Sequence, residues 1–119
     1  MLLALDAADA SNGCLEFAKA AHQQGAIAVN ADGCLPMEQA SQLAWTSMPV
    51  AAGDAVFFNS YAPHRSGTNR SDRSRRALYV TYNASSEGNL RSDYYDHKKE
   101  ALAQGRVSLI NHFLGEDVS

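Results

Sequence analysis

The apolar residues of this chain come in short runs, each stopped by a turn signal, and that pattern limits the fold more than any other feature. Short runs bounded by Gly, Pro, Asn and Asp specify strands that end at turns. Residues 2 to 5 read as the first strand. The cluster "DASNG" follows, and Asn12-Gly13 suits the positive backbone angles of a tight hairpin. "CLEFAKA" reads as strand, with Leu15 and Phe17 on one face and Glu16 on the other. "AIAVN" is a third candidate. "ADGCLPMEQASQ" reads as loop, broken by Gly33 and Pro36. "LAWTSMPV" is a fourth strand, stopped by Pro49, and "AAGD" is a turn. "AVFFNSYAP" is a fifth, with Val56 and Phe58 facing opposite Phe57. "HRSGTNRSDRS" reads as a polar loop. "RRALYVTYNA", rich in aromatic and β-branched residues, is the strongest strand.

The texture changes near residue 90. "SDYYDHKKEALAQG" has Ser92 as an N-cap and Gly105 as a stop, so it reads as helix. Asp96 and Lys99 stand at helical pairing distance. "VSLINHFLG" fits a short helix or an irregular tail. The expectation is one domain over residues 1–119. It would be a mainly β sandwich or barrel over about 2–83, with a helical tail over about 92–119.

Composition excludes several functions. A chain of 119 residues is long enough for one core, and 45% hydrophobic with 19% charged residues is ordinary for a globular protein. The formal net charge of −3 offers no global basic field for nucleic acid. "MLLALDAADA" reaches Asp6 too soon for a signal peptide, and no stretch approaches ~20 apolar residues. The expectation is therefore a cytoplasmic protein with neither a membrane nor a nucleic-acid partner. Cys14 and Cys34 have no spacing for zinc and read as reduced thiols packed as small hydrophobes. Trp45 reads as core. Tyr61 and Tyr79 could line a pocket, although apolar packing is the commoner fate of tyrosine.

One stretch, "FFNSYAPHRSGTNRSDRSRRALYVTY", concentrates chemistry. His64 stands where an apolar run ends, and five arginines follow between residues 65 and 76. A neutral imidazole at a strand end is a good ligand for a divalent transition metal, but one histidine makes no site. Its bland alternative is a surface ring bonded to nearby backbone. Arg75 and Arg76 alternate in direction if a strand begins there, one pointing in and one out. An inward guanidinium needs an anion, either a protein carboxylate or a bound acid. The outward arginine, with Arg65, Arg70 and Arg73, reads as solvated loop charge. No aromatic residues are interleaved in the loop for stacking on bases.

Taken together, "ALDAADASNGCLEFAKAAH", "AGDAVFFNSYAPHRSGTNRSDRSRRALYVTYNASSEG" and "YYDHKKE" resemble the C-terminal part of the phytanoyl-CoA dioxygenase family. The resemblance covers most of residues 2 to 100. It implies a double-stranded β-helix, the cupin-like jelly roll, and iron(II)- and 2-oxoglutarate-dependent hydroxylation of a small molecule. On that resemblance His64 matches a metal-binding histidine. Arg75, eleven positions on, matches the arginine that pairs with the far carboxylate of 2-oxoglutarate, and Ser66 falls where a hydroxyl can add a bond. Asn12-Gly13 matches the hairpin turn. His22 matches the histidine of a "PGSH" stretch whose first three residues are "KAA" here.

The departure from the family pattern is a missing His-x-Asp pair, which the resemblance places upstream of "ALD". The expectation is thus a truncated, incomplete jelly roll carrying one metal ligand, His64, and not catalytic as an isolated chain. Its exposed sheet edges would close on a second copy, as a homodimer, or on a complementary chain that supplies the missing strands. Three readings stay open. They are an oxygenase in an assembled form, a dimerising or small-acid-binding remnant, and a metal site rebuilt from His64 with His22 or His97 and an acid such as Glu16.

Overall fold

The computed structural model of the chain describes residues 1–30 and 34–105. They fall into two compact units. One holds Met1–Ala28 with Leu35–Thr81, and the other holds the described residues of 29–34 and 82–119.

The first unit contains both sheets. In chain order it has β1 (Leu2–Ala4), β2 (Leu15–Ala18), α1 (Met37–Ser41), β3 (Trp45–Met48), β4 (Ala55–Val56), β5 (His64–Ser66) and β6 (Ala77–Tyr79). The strands form two three-stranded antiparallel sheets, ordered β4-β1-β6 and β3-β2-β5. This is the mainly β, cupin-like architecture expected, and a C-terminal helix follows it in sequence. Both central strands come early in the chain, and their partners arrive much later in it. Among the described residues no helix is long and apolar enough to cross a membrane.

Pairing register decides which side chains point inward. Leu2 pairs with both Val56 and Tyr79, and Ala4 with Ala77. Residues directly opposite in an antiparallel pair share a face. Leu2 and Ala4 are buried on that face, and Val56 and Ala77 pack against them. In the second sheet Leu15 pairs with Met48 and Ser66, while Phe17 pairs with Thr46 and His64. Leu15 belongs to the same buried cluster, and Phe17 and Phe58 pack onto it. Phe57 points away and is 66% exposed, so the expected opposition of Val56 and Phe58 to Phe57 holds.

Several expected elements take other forms. The Asn12-Gly13 turn is not a hairpin, because β1 and β2 lie in different sheets. Only Gly13 of the pair has a positive φ, at 82°. Asn12 instead is completely buried; its side chain accepts from the Asp9 N–H at 2.7 Å and donates to the Ala7 carbonyl at 2.9 Å. The turn is thus pinned by a side chain while it carries the chain from one sheet to the other.

"AIAVN" forms no strand, and its backbone joins neither sheet. In the expected loop, residues 37 to 41 are helical: Pro36 is the N-cap of α1 rather than a breaker, since its fixed φ suits a helix start. Gly33 lies outside the described residues. β5 begins at His64, so that histidine opens a strand instead of ending one. The strand expected over residues 75 to 84 is shortened to three paired residues.

Trp45 is half-buried on the outer face of its sheet, not in the core. Its indole donates to the Ala40 carbonyl at 2.8 Å, and the Arg65 guanidinium lies 4.3 Å from its ring centre.

The second unit contains α2 (Arg91–Ala103). It begins after Leu90 rather than at a Ser92 cap, and no side chain caps it. Gly105 ends it as expected, with φ 64° and its N–H bonded to the Leu102 carbonyl at 3.0 Å. Asp96 and Lys99 pair at 3.3 Å. The "VSLINHFLG" tail lies outside the described residues.

Candidate functional site

The inward faces of the two sheets border one hollow. Leu2, Ala4, Val56, Ala77 and Tyr79 line it from the first sheet, and Leu15 and Met48 from the second. Its polar lining is confined to Asp6, Arg75, Arg76 and the Tyr79 hydroxyl-bearing ring, with Cys14 as a buried thiol in the wall. Of the two tyrosines considered from the sequence, Tyr79 lines the hollow and Tyr61 does not.

The arginines divide by partner. Arg65 on β5 stands opposite Glu16 on β2, and Nε donates to Glu16 Oε2 at 2.6 Å. Arg73 donates from Nη2 to Asp9 Oδ2 at 2.8 Å and to the Ser11 hydroxyl at 2.9 Å. Arg76 grips Asp6 with two parallel bonds, Nε to Oδ2 at 2.8 Å and Nη2 to Oδ1 at 3.0 Å. Its backbone N–H adds a third, to Oδ2 at 2.9 Å. Arg65, Arg73 and Arg76 are exposed, as solvated charges would be, but each is also ion-paired. Each ties the 64–76 stretch to a carboxylate on β2 or on the β1–β2 connection.

The sequence spacing is compatible with these pairs but does not select them. Asp6 and Asp9 are three apart, Arg73 and Arg76 are three apart, and antiparallel strands bring the two pairs together in opposite order.

These bonds hold the carboxylates ionised. The Arg76 side chain, its backbone N–H and its charge lower Asp6 to about 2. Arg73, with the Ser11 hydroxyl and N–H, depresses Asp9 further. Burial pushes the Tyr79 hydroxyl up, and the nearby Arg75 cation opposes that shift.

Arg75 is different. It is half-buried, lines the hollow, and forms no ion pair among the described residues. Nη2 donates to the Gly67 carbonyl at 3.4 Å, a weak contact. Gly13 leaves room for the Gly67 carbonyl that accepts this bond. A Cβ there would collide with the Gly67 carbonyl and come to 3.4 Å from Arg75 Nε.

His64 and Ser66 stand on the inward face of the second sheet, as partners of Phe17 and Leu15. They are absent from the lining of the hollow that Arg75 enters. The His64 ring packs against Phe58 and Phe17, with centroids 5.0 and 5.8 Å away. Its Nδ1 lies 3.0 Å from the Ala62 carbonyl, and a carbonyl can only accept, so Nδ1 carries the proton and Nε2 is the available lone pair. Glu16, a candidate acid for a rebuilt metal site, is on the opposite face and engaged by Arg65. Among the described residues no three His, Cys, Asp or Glu side chains gather as a metal site.

Comparison with known proteins adds a second line of information. The profile of the family described as Phytanoyl-CoA dioxygenase (PhyH) matches residues 1–77. The chain is 43% identical over 122 residues to a methylphosphonate hydroxylase of Gimesia maris, covering 96% of this chain and 47% of the relative. It is 42% identical over 100 residues to a 2-aminoethylphosphonate dioxygenase of Uncultured bacterium HF130_AEPn_1, covering 84% and 38%. It is 31% identical over 99 residues to Dioxygenase lolE1 of Epichloe uncinata, covering 82% and 38%. The chain therefore spans half or less of the length of these relatives. No solved structure matches it.

Proposed function

The chain belongs to the phytanoyl-CoA dioxygenase (PhyH) family of oxygenases, and from that premise we propose that it holds the acid cosubstrate of an iron(II)- and 2-oxoglutarate-dependent hydroxylation of a small phosphonate. The observation that carries the reading is Arg75, a guanidinium that enters the hollow without a carboxylate of its own among the described residues. A planar guanidinium matches a carboxylate with two parallel N–H bonds, and a half-buried site strengthens both. On the family resemblance Ser66 would add a hydroxyl to the same acid, although it stands beside Leu15 outside the lining of the hollow that Arg75 enters.

His64 offers Nε2 to a metal, with its ring oriented by the Ala62 carbonyl and steadied by Phe17 and Phe58. When bound, iron(II) would supply the activation of oxygen that drives hydroxylation with conversion of the keto acid to succinate and carbon dioxide. The chain's own part is narrower. Arg75 orients the acid, the apolar walls from Leu2, Leu15 and Val56 limit water, and His64 presents one lone pair. The phosphonate substrate class rests on the two relatives named for phosphonates.

A second reading is binding of a small acid without turnover. It is favoured by His64 standing without two further ligands among the described residues, where a facial site takes two histidines and a carboxylate. One experiment separates the readings. The purified chain is mixed with iron(II), ascorbate, 2-oxoglutarate and methylphosphonate, and both 2-oxoglutarate loss and the phosphorus NMR spectrum are followed. Consumption with a new phosphorus resonance is the expected outcome of the first reading. Calorimetric binding of 2-oxoglutarate without consumption selects the second, and no binding removes both.

A further inference from the structure

We infer that Arg76 acts as a guard for Arg75: by occupying Asp6, it keeps the acidic residue of the hollow from capturing the guanidinium that receives the bound acid. This rests on the reading of Arg75 given above. Asp6 is the only acidic side chain among the residues that line the hollow, and it lines it together with both arginines. On this inference an ionised carboxylate bordering the same hollow would compete for Arg75 once freed from Arg76, since it offers the same two oxygens as the ligand.

The structure shows that competitor fully engaged. Both Asp6 oxygens accept from the Arg76 side chain, and Oδ2 also accepts from the Arg76 backbone N–H. Arg75 is left with one long bond to a neutral carbonyl. Two adjacent arginines thus do different work. The exposed one, with a side chain 73% accessible, neutralises the internal acid. The half-buried one keeps its charge available. Both arginines precede β6 and both border the hollow, but only Arg76 is bound to Asp6.

The backbone bonds sharpen the arrangement. The Leu5 and Asp6 N–H groups both donate to the Arg76 carbonyl, at 2.9 and 3.2 Å. Asp6 therefore stays beside residue 76 even when the Arg76 side chain is shortened. Removing that side chain would leave the Asp6 backbone in place and free its carboxylate from the Arg76 guanidinium to turn towards Arg75. Arg76 is thus a specificity-determining residue that acts through Asp6, not a ligand of the acid.

Four variants test this in the full chain, with 2-oxoglutarate as the probe, manganese(II) in place of iron(II), and affinity read by calorimetry. Arg76→Gln should weaken binding about threefold or more, the scale of a partly exposed charge pair. Asp6→Asn should bind at least as tightly as the parent, because the competitor has gone. The double variant Asp6→Asn with Arg76→Gln should recover the affinity lost in Arg76→Gln. A double variant as weak as Arg76→Gln would overturn the inference, as would an unchanged Arg76→Gln. Melting temperatures separate folding damage from competition, because a merely structural Arg76 would lower stability in both Arg76 variants with no rescue of affinity. Arg75→Gln tests the underlying reading separately. If it binds as the parent does, Arg75 does not hold the acid, whatever Arg76 does.

Discussion

At the scale of single residues, a few groups carry charges whose placement can be checked by titration. Asp6 is held at about 2, against an ordinary 3.8, chiefly by the Arg76 side chain and N–H. A depressed folded-state value means the unfolded chain takes up its proton first. The stability Asp6 contributes is therefore fully present above pH 3.8 and is lost as the pH falls towards 2. Relative to Asp6→Asn, the parent should keep a constant advantage in urea midpoint from pH 7 to about 5, and that advantage should shrink below pH 4. A difference that does not change with pH would mean the bonds contribute nothing through ionisation.

Gly13 is a second test. Its φ of 82° alone would strain an alanine, and the added Cβ would also strike the Gly67 carbonyl. Gly53 has φ 93° but open space around the same position. Gly53→Ala should cost about 1–2 kcal/mol from backbone strain. Gly13→Ala should cost clearly more, and thermal denaturation of the two variants isolates the cost of the clash with the Gly67 carbonyl.

At the scale of elements, the sheets and the helix owe their existence to different forces. β1 and β2 bury Leu2, Ala4 and Leu15 and are paired on both sides. α2 buries no side chain, and its visible support is a surface ion pair and aromatic contacts such as Arg91 over Tyr95. An isolated helix of this length is marginal in water. Amide hydrogen exchange should therefore be fast along α2 and slow along β1, with openings in α2 well below the global free energy. Equal protection in the two elements would contradict this account.

Elements also show where patterning reads well. "LAWTSMPV" and "CLEFAKA" became β3 and β2 because alternation and flanking turn residues agreed. "AIAVN" has the same apolar look yet pairs with neither sheet. A strand exists only when another strand offers a ladder, and composition does not report the partner. His64–Ser66 is the converse case: three polar residues form β5 because Leu15–Ala18 lies alongside with free backbone groups.

At the scale of the whole molecule, the proposed acid should act as a stabiliser. A ligand that binds only the folded chain adds stability by mass action, about 2.7 kcal/mol at one hundred times its dissociation constant. Adding 2-oxoglutarate should raise the melting temperature of the parent in a concentration-dependent way. The same titration should leave Arg75→Gln unmoved. A rise of equal size in both would place the acid elsewhere on the surface.

The mainly β class, the helix over residues 92 to 105 and the family were all legible in the linear sequence, because each rests on local periodicity, turn chemistry or motif spacing. Arg75 was singled out only through the family resemblance, eleven positions beyond His64, and the structure gives it no ion pair among the described residues. What the sequence could not decide was the allotment of partners. Asp6 with Arg76, Asp9 with Arg73 and Glu16 with Arg65 meet only after β1 and β2 have gathered strands from far along the chain. Charge pairing is a matter of a few ångströms, and separations of about fifty to seventy positions are closed only by the register of the two sheets.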